Sequence, residues 1–589
     1  MQRSRRPWVA IAFALVVCRV SLAWAQPAPE GPSGWSPRDA VRGARDLVVA
    51  AHPLAADAGA SMLARGGSAV DAAIAAQLVL GLVEPQSSGI GGGGFMLVHD
   101  AKRRRPIAYD GRETAPAAAS EDRFLDARGE PLRFVDAVIG GRSVGVPGLV
   151  ALLDHAHRRH GRLAWAVLFE PAIALAERGF DVSPRLAALV RDEGQMRQPR
   201  AVAYFRKDGG ASLEAGTRLR NPAYARTLRA LAARGARAFY EGPVAQDIVS
   251  TLASAVPPGD MTLDDLARYA VVEREPVCGP YRGFRVCGMP LPSSGGIATL
   301  QMLAYLERFD LASLRPASFF AVHLVAEAGR LAYADRAAYM ADPAFAPPPR
   351  DLLDRDYLNA RGSIIRATAT LGRAAPGRVA ATGDDRRSAS LHEGIEFPST
   401  THLSVVDRDG NAVALTSSIE DGFGSRLMTE GGFLLNNQLT DFSFRPHESG
   451  VPVANRVQPG KRPRSSMAPT IVYDGGGQPV IIAGSPGGSA IINYVVKTLV
   501  GIVDWKLDPQ AAAALPNFGS RNGPTELERG TSVEALAAKL SAIGHDVSVS
   551  AQTSGVHAIV RRDGAWIGGA DPRREGAARS SASFRSGAR

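Results

Sequence analysis

A β-hairpin is encoded in residues 398–418, whose sequence is PSTTHLSVVDRDGNAVALTSS. Apolar residues alternate or cluster on both sides of Asp-Arg-Asp-Gly-Asn, which is a strong turn signal between two strands. The first strand opens on two adjacent threonines, Thr400 and Thr401. Residues 371–397 before it contain few large apolar side chains and clustered charge, so we expect them to be mobile and exposed. The pattern predicts an antiparallel sheet with one strand that begins directly after an exposed segment.

Glycine-rich junctions between strands and helices recur along the chain. Residues 55–83 have the spacing of an apolar helix, and a run of four glycines separates them from a strand. Residues 470–505 predict a hairpin and then a helix that starts at Gly487 and Gly488. Residues 150–375 are mostly helical patterns rich in Ala, Leu and Arg. This arrangement indicates a layered α/β architecture in a chain long enough to bury large cores.

The N-terminus has the pattern of a signal peptide. A basic start is followed by an apolar run over residues 8–18 and by Ala23-Trp24-Ala25, a small-x-small cleavage pattern. We therefore expect residues 1–25 to be removed, with a mature chain from about Gln26 that is periplasmic or secreted. The apolar run is too short to remain as a permanent membrane span.

The net charge of +10 does not by itself require a nucleic-acid partner. The basic runs at residues 102–105 and 573–589 lack interleaved aromatic residues, so we expect solvated surface rather than a nucleic-acid interface. From about residue 575 we expect a basic, flexible tail.

Two cysteines remain after the expected leader, Cys278 and Cys287, in EPVCGPYRGFRVCGMP. Their midpoint falls between Arg282 and Gly283, so a hairpin turning there would place the two cysteines opposite each other. An oxidising compartment would allow a disulfide between them. Two buried free thiols are the alternative.

The threonine pair at the start of the strand can carry chemistry. If the Ser399–Thr400 bond is cut, Thr400 becomes a chain terminus whose own α-amino group can act as base for its hydroxyl. The backbone N–H groups of Gly487 and Gly488, at a helix start, are suited to stabilise an oxyanion. The simpler interpretation is that β-branched threonine merely suits a strand start.

Eight motifs decide between these interpretations because they occur in the order found in one family. They are AVDAAIAAQLVLGLVEPQSSGIGGGGFMLV, GRETAP, MPLPSSGGI, STTHLSVVDRDGNAVALT, GFLLNNQLTDFS, GKRPRSSMAPTIV, GSPGGS and GGADPR. With them the chain resembles the gamma-glutamyltransferases (gamma-glutamyltranspeptidases), which are N-terminal nucleophile hydrolases. The resemblance implies an α/β (α+β) fold, a four-layer αββα sandwich with an additional helical region in the large subunit. It also implies a large subunit of residues 26–399 and a small subunit of residues 400–589.

The resemblance assigns the catalytic roles residue by residue. Thr400 corresponds to the nucleophile exposed by self-cleavage after Ser399, with Thr401 and Ser418 placed to assist it. Gly487 and Gly488 correspond to the oxyanion hole.

The resemblance also assigns a pocket for the γ-glutamyl donor. Arg112, in GRETAP, corresponds to the arginine that pairs with the donor's α-carboxylate. The planar guanidinium group suits a carboxylate better than a lysine ammonium would. Ser465 and Ser466 correspond to the serines that donate to the same carboxylate. Gln438 and Asp441 correspond to side chains that hold the α-ammonium. Without the other motifs, the favoured interpretation would be that Ser465 and Ser466 are turn residues, Asp441 a cap and Arg112 part of a surface ion pair.

Three departures from the family pattern concern specificity. Position 418 is serine where the best-known members carry threonine, which keeps the hydroxyl. Glu420 stands where they often have asparagine, and we expect it to contact the donor's α-ammonium; a surface ion pair is the alternative. Residues 444–460, which correspond to a lid, are short and lack the tyrosine of lidded members, so the sequence leaves the acceptor preference open.

The expected activity is cleavage of γ-glutamyl amides such as glutathione through a γ-glutamyl ester on Thr400. The acyl group would pass to water or to an amino acid or peptide acceptor. No cofactor or metal is expected, since no His/Cys/Asp cluster has ligand spacing in the sequence. One alternative is a related acylase that acts on glutaryl-cephalosporins or poly-γ-glutamate. The other is a non-catalytic binding protein of the same fold.

Overall fold

The computed structural model of the protein describes residues 34–206, 210–379 and 399–585. The expected signal peptide lies outside the described residues, and so does most of the segment that we expected to be exposed before Thr400. No helix within the described ranges is long and apolar enough to cross a membrane.

The elements fall into a largely helical middle region and two strand-rich ends. The helices are α1 (Pro53–Ala64), α2 (Ala69–Val83), α3 (Phe134–Val138), α4 (Leu149–His160), α5 (Glu170–Arg178), α6 (Pro184–Asp192), α7 (Pro199–Phe205), α8 (Pro222–Arg234), α9 (Arg237–Tyr240), α10 (Pro243–Ala253), α11 (Leu263–Ala267), α12 (Gly295–Leu306), α13 (Phe319–Tyr339), α14 (Arg355–Gly362), α15 (Ile491–Val503), α16 (Pro509–Ala514), α17 (Ala537–Ala542) and α18 (Ala582–Arg585). The strands are β1 (Val41–Gly43), β2 (Leu47–Ala50), β3 (Gly93–Asp100), β4 (Arg105–Gly111), β5 (Phe180–Asp181), β6 (Arg218–Leu219), β7 (Val272–Arg274), β8 (Val277–Tyr281), β9 (Phe284–Gly288), β10 (Ser399–Val406), β11 (Ala412–Glu420), β12 (His447–Glu448), β13 (Val451–Pro452), β14 (Thr470–Tyr473), β15 (Pro479–Gly484), β16 (Phe518–Ser520), β17 (Thr525–Glu528), β18 (Val547–Ser550), β19 (His557–Arg562), β20 (Ala565–Ala570) and β21 (Ala577–Arg579).

Two seven-stranded sheets form the centre of the described part of the chain. The site sheet has the strand order β21-β2-β10-β11-β3-β4-β7, and the second sheet has the order β1-β20-β19-β15-β14-β9-β8. One face of the site sheet packs on α1 and α2. Its other face joins a core shared with the second sheet and with α12, α13 and α15. The order of layers is helix, sheet, sheet, helix, which confirms the predicted four-layer αββα sandwich.

The helix α2 lies directly beneath the site sheet because its residues are small. Ser68 caps its N-terminus: the Ser68 hydroxyl accepts the N–H of Asp71 while the Asp71 carboxylate accepts the N–H of Ser68. This capping box satisfies two N–H groups that the first turn leaves without helical partners. Its alanine-rich surface can then approach β10 and β11 closely.

The predicted hairpin is formed by β10 and β11, which pair antiparallel from Thr400, opposite Ser418, to Val406, opposite Ala412. The Asp407 carboxylate accepts the N–H groups of Asp409 and Asn411 in the turn, at 2.9 and 3.0 Å. On its other side β10 pairs with β2 from Leu403 onward. Thr400 therefore lies near the start of a central strand.

The C-terminal segment differs from the flexible tail expected from about residue 575. β21 pairs with Val48–Ala50 of β2 as the edge strand of the site sheet. Just before it, Arg573 is buried and bonds to Glu528 and Asp571. The sequence predicts solvent exposure for a run of arginines when the carboxylates that neutralise them are remote in the chain. Here Glu528 is 45 residues from Arg573.

The hairpin of β8 and β9 places Cys278 opposite Cys287, as the midpoint of the sequence segment predicts. A disulfide joins the two residues. The pair belongs to the second sheet at its β8 edge, whereas Thr400 lies on the site sheet.

Replacing both cysteines by serine is expected to lower stability without changing chemistry. Closing a loop of about ten residues stabilises by roughly 2–3 kcal/mol in the chain-entropy model. Urea unfolding of the double variant should show this loss, while its turnover of substrate should match the wild type. Two free thiols in unreduced protein, detected by mass spectrometry, would contradict the disulfide.

Candidate active site

The hydroxyl groups of Thr400 and Ser418 lie against the peptide bond that precedes Thr400. Thr400 Oγ1 donates to Ser418 Oγ at 3.2 Å, and Ser418 Oγ donates to the carbonyl oxygen of Ser399 at 2.9 Å. The N–H of Glu420 donates to the same Ser418 oxygen at 2.8 Å. Ser418 therefore contacts both a candidate nucleophile and the adjacent carbonyl that this nucleophile could attack. A hydroxyl that donates to a carbonyl oxygen also stabilises negative charge developing there.

A β-bulge sets this geometry. Ser399 is opposite Glu420 and Thr400 is opposite Ser418, so Ile419 is an extra residue without a partner on β10. Glu420 has a φ of 79°, in the left-handed region that non-glycine residues rarely adopt. Bulges bend a strand and re-aim its side chains, and strained backbone is common at functional sites.

Thr401 occupies the opposite face of β10 from Thr400, since successive strand residues alternate. It pairs with Ser417, whose hydroxyl donates to the Gln77 amide oxygen of α2 at 2.7 Å. The Thr401 hydroxyl is buried without a hydrogen-bond partner among the described residues. The role of Thr401 beside Thr400 stays a prediction, and strand alternation places its hydroxyl on the face of β10 toward the helix layer.

The loop with Gly487 and Gly488 extends from β15 toward Thr400. Ser404 donates to the carbonyl of Ile482, and a Cβ on Gly484 would lie 2.3 Å from the His402 ring. Moving along β15 from Ile482 to Gly484 therefore corresponds to moving toward the start of β10 from Ser404 to His402. The residues that follow Gly484 consequently lie at the Thr400 end of β10.

Both glycines have backbone conformations that other residues avoid. Gly487 has a φ of 138° and Gly488 a φ of 54°. A Cβ on Gly487 would also lie 2.6 Å from the ring of Tyr494. The loop ends at α15, and helix starts present N–H groups to anions. The arrangement is compatible with the predicted oxyanion hole.

Arg112 is buried, and its guanidinium group forms hydrogen bonds with segments that are far apart in sequence. Its Nη2 donates to the Asp441 carboxylate and, at 2.9 Å, to the carbonyl of Arg464. Its Nε donates to the carbonyl of Pro463 at 3.1 Å. Asp441 also accepts from the side-chain amide of Gln438 at 2.6 Å. The structure thus brings together the three predicted residues Arg112, Gln438 and Asp441.

The two predicted serines follow directly on the segment held by Arg112. Ser465 Oγ accepts the N–H of Met467 at 3.1 Å. Ser466 Oγ accepts from the guanidinium of Arg336 at 2.9 Å. The Ser465 carbonyl accepts the N–H and the hydroxyl of Ser294, from the MPLPSSGGI motif. The sequence did not single out Arg336, which lies 130 residues from Ser466.

Glu420 is 2% exposed, which excludes the surface ion pair considered above. Its carboxylate accepts from the side-chain amide of Asn437, the residue before Gln438. A chain of contacts therefore runs from Thr400 through Ser418 and Glu420 to the loop that carries Gln438 and Asp441.

A further carboxyl group, that of Glu113, lies beside Arg112 and was missed in the sequence. Its Oε2 is 3.8 Å from Arg112 Nη1, and neither carboxyl oxygen has a hydrogen-bond partner among the described residues. Burial raises the pKa of Glu113 to about 8, although the Arg112 charge acts in the opposite direction. Burial therefore favours the neutral form of the Glu113 carboxyl group.

One cluster with metal-ligand chemistry lies away from these residues. His323, Glu327 and His545 bring ligand atoms within 4.8 Å of one another. His323 Nε2 donates to the Arg366 carbonyl at 2.7 Å, which leaves Nδ1 to accept from His545 at 2.8 Å. Glu327 accepts from the guanidinium of Arg330 at 2.9 Å. These groups satisfy one another, so we assign the cluster a structural role.

A threonine at the start of a central strand, between two stacked antiparallel sheets enclosed by helices, defines the protein as an N-terminal nucleophile hydrolase. Residues 55–581 match the gamma-glutamyltranspeptidase family, and the chain belongs to that family. The chain is 37% identical over 547 residues to the glutathione hydrolase proenzyme of Bacillus subtilis strain 168, covering 90% of this chain and 91% of that one. It is 36% identical over 544 residues to the acylase ACY 1 proenzyme of Pseudomonas sp. strain SE83, covering 91% and 93%. The cephalosporin acylase of Bacillus halodurans has a similar structure, with a TM-score of 0.80, 27% identity and coverage of 92% of this chain and 97% of that one.

Proposed function

We propose that the protein is a self-processing gamma-glutamyltransferase and glutathione hydrolase. The observation that carries this proposal is a path of contacts from Thr400 and Ser418 through Glu420 to Asn437, and from the adjacent Gln438 to the Arg112–Asp441 pair. These contacts link the proposed nucleophile to buried side chains of both charge signs, which supports the proposal. A γ-glutamyl group has the matching chemistry, with an α-carboxylate and an α-ammonium at one end and an acyl carbon at the other.

In the proposed reaction the donor's α-carboxylate binds Arg112 with Ser465 and Ser466. The α-ammonium binds the carboxylates of Asp441 and Glu420, to which charge-assisted hydrogen bonds are strong. The γ-carbonyl then lies at Thr400.

The α-amino group of processed Thr400 takes the proton of its own hydroxyl as Oγ1 attacks the γ-carbonyl. The N–H groups of Gly487 and Gly488 stabilise the oxyanion. The amine leaves with the proton, and a γ-glutamyl ester remains on Thr400. Water, or the amino group of an amino acid or peptide, then attacks the ester and regenerates the hydroxyl.

The proposal includes maturation and location. The precursor is exported by a signal peptide of residues 1–25 and cleaved into subunits of residues 26–399 and 400–589. A periplasmic or secreted site is supported by the leader pattern and by the Cys278–Cys287 disulfide, because disulfides persist in oxidising compartments.

An acylase for glutaryl compounds is the second candidate, since an acylase is nearly as similar in sequence as a glutathione hydrolase. A glutaryl group lacks the α-ammonium. Such a donor could not form the charge-assisted hydrogen bonds that the carboxylates of Glu420 and Asp441 would accept from an α-ammonium. The two buried carboxylates therefore favour γ-glutamyl donors.

Glu420→Gln is the direct test of this choice. We expect kcat/KM for γ-glutamyl-p-nitroanilide to fall at least about tenfold, or about 1.4 kcal/mol, because a charge-assisted bond to the ammonium becomes a neutral one. Activity on glutaryl-7-aminocephalosporanic acid should improve relative to the γ-glutamyl donor. The control is Glu430→Gln, since Glu430 is an exposed acid on the same segment that pairs with Arg200.

The order of wild-type turnover separates the two candidates, and the variant tests the role of Glu420. Wild-type turnover of the γ-glutamyl donor above the glutaryl donor supports the transferase, and the reverse order supports the acylase. Equal effects of Glu420→Gln on both donors, or no effect on either, would show that Glu420 does not recognise the ammonium.

A further inference from the structure

The GGADPR motif, residues 568–573, has no part in the chemistry above, yet the next residue contacts the nucleophile. Nη1 of Arg574 donates to the main-chain carbonyl oxygen of Thr400 at 3.2 Å. Arg574 is 1% exposed, so the contact is inside the protein. A buried guanidinium on the main chain of Thr400 can control where that residue lies.

The topology of the site sheet explains why Thr400 needs such a contact. β2 accompanies β10 only from Leu403 onward, where Leu403 is opposite Ala50. On its other side β2 pairs with β21, where Ala50 is opposite Ala577. Thr400 and Arg574 each lie three residues beyond these pairs, so they meet across the gap where β2 ends. Arg574 supplies a hydrogen bond that β2 is too short to give.

The segment around Arg574 is itself fixed. The N–H of Arg574 donates to the carbonyl of Asp571 at 3.3 Å. The Asp571 carboxylate accepts from the Ser554 hydroxyl and, at 3.2 Å, from the N–H of Val556. Arg573 bridges Asp571 and Glu528. Arg574 therefore approaches Thr400 from a rigid support.

The same arginine packs next to the glycine loop. A Cβ on Gly555 would lie 2.8 Å from Arg574 Cδ and 2.5 Å from Pro486 Cγ, so Gly555 fits between the two side chains. The N–H of Gly555 also donates to Ser485 Oγ at 3.2 Å. Pro486 is the residue before Gly487. Arg574 thus connects the main chain of Thr400 with the support of the proposed oxyanion hole.

We propose that Arg574 is a positioning residue that holds Thr400 in line with Gly487 and Gly488, an inference that rests on the proposed function. The contact matters most after cleavage, because Thr400 then loses its covalent bond to Ser399 and becomes a strand end. Chain ends fray unless they are held. A displacement of reacting groups by about 1 Å can lower a rate about a hundredfold.

The test compares Arg574→Met, which removes the donor but keeps an apolar stem, with Arg574→Lys, which keeps a donor. The measurement is the single-turnover release of p-nitroaniline from γ-glutamyl-p-nitroanilide by the self-cleaved protein. Arg574→Met should acylate about tenfold more slowly with little change in donor affinity, and Arg574→Lys should recover most of the rate. Arg579→Met is the control, since Arg579 lies on the same segment and pairs at the surface with Asp57.

Equal acylation rates in Arg574→Met and the wild type would overturn the proposal. Equal losses in Arg574→Met and Arg574→Lys would also overturn it, because the role would then be packing and not hydrogen bonding. If Arg574→Met does not fold, Arg574→Leu, which also lacks a donor, takes its place with the same expected loss. A wild type that is cleaved but releases no p-nitroaniline would instead refute the proposed function.

Discussion

Thr400→Ala is expected to leave the protein as one uncleaved, inactive chain. Cleavage requires Thr400 Oγ1 to attack the Ser399 carbonyl carbon, so that the C–N bond breaks as the nitrogen takes a proton and an ester forms. Water then hydrolyses the ester, which frees the Ser399 carboxylate and the Thr400 hydroxyl and α-amino group. Alanine has no oxygen for the first step.

A denaturing gel and N-terminal sequencing provide the measurement. The wild type should give two chains, and the smaller should begin Thr-Thr-His. Turnover of the variant should fall to background, and removal of a nucleophile can cost about a millionfold in kcat. Normal cleavage in Thr400→Ala would rule out Thr400 as the processing nucleophile.

Two further variants separate the hydroxyl group from the packing of Thr400. Thr400→Ser keeps the nucleophile and should still cleave. Ser418→Ala removes the hydroxyl that donates to the Ser399 carbonyl at 2.9 Å, and cleavage should be slowed while the fold is kept.

Arg112→Lys should impair turnover of γ-glutamyl donors strongly while leaving self-cleavage intact. The guanidinium uses Nε and Nη2 at once for Pro463, Arg464 and Asp441, and a lysine ammonium cannot reproduce this planar set. Loss of a charge-assisted bond costs roughly 1.5–3 kcal/mol, or about ten- to a hundredfold in kcat/KM. Steady-state kinetics with γ-glutamyl-p-nitroanilide, on protein shown by gel to be cleaved, would measure it.

Arg123→Lys is the matched control for Arg112→Lys. Arg123 makes a two-point contact with Asp260, at 2.6 and 2.7 Å, and a bond to the carbonyl of Arg142. The same substitution there should leave kcat/KM near the wild-type value. A small change in Arg112→Lys, comparable to that control, would show that Arg112 does not bind the donor's carboxylate.

Local patterns were sufficient to predict the elements that carry the nucleophile. The hairpin of β10 and β11 and the facing cysteines of β8 and β9 follow from turn residues and strand alternation over short distances. The four-layer fold, in contrast, came from the family resemblance, because layer order depends on contacts that no local pattern encodes.

The features that the sequence did not reveal depend on partners far away in the chain. Arg112 lies 329 residues from Asp441, and Arg574 lies 174 residues from Thr400. A basic run gives no sign of burial when its acidic partners are remote, which is why the C-terminal strand was expected to be flexible. Thr401 was assigned with Thr400 because the two are adjacent, although strand alternation places their side chains on opposite faces.

A cut between Ser399 and Thr400 would leave both sheets interleaved between two polypeptides. In the site sheet, β10 and β11 from the C-terminal piece lie between β2 and β3 from the N-terminal piece. In the second sheet, β20, β19, β15 and β14 lie between β1 and β9. The pieces cannot separate without opening both cores.

Unfolding of the cut protein therefore converts one particle into two, and its reversal depends on the concentration of both chains. The uncut precursor refolds as a single molecule, so its recovery after denaturation is independent of dilution. Dilution should therefore lower the recovery of the cut protein after denaturation, and its persistence at low concentration should depend on its unfolding barrier.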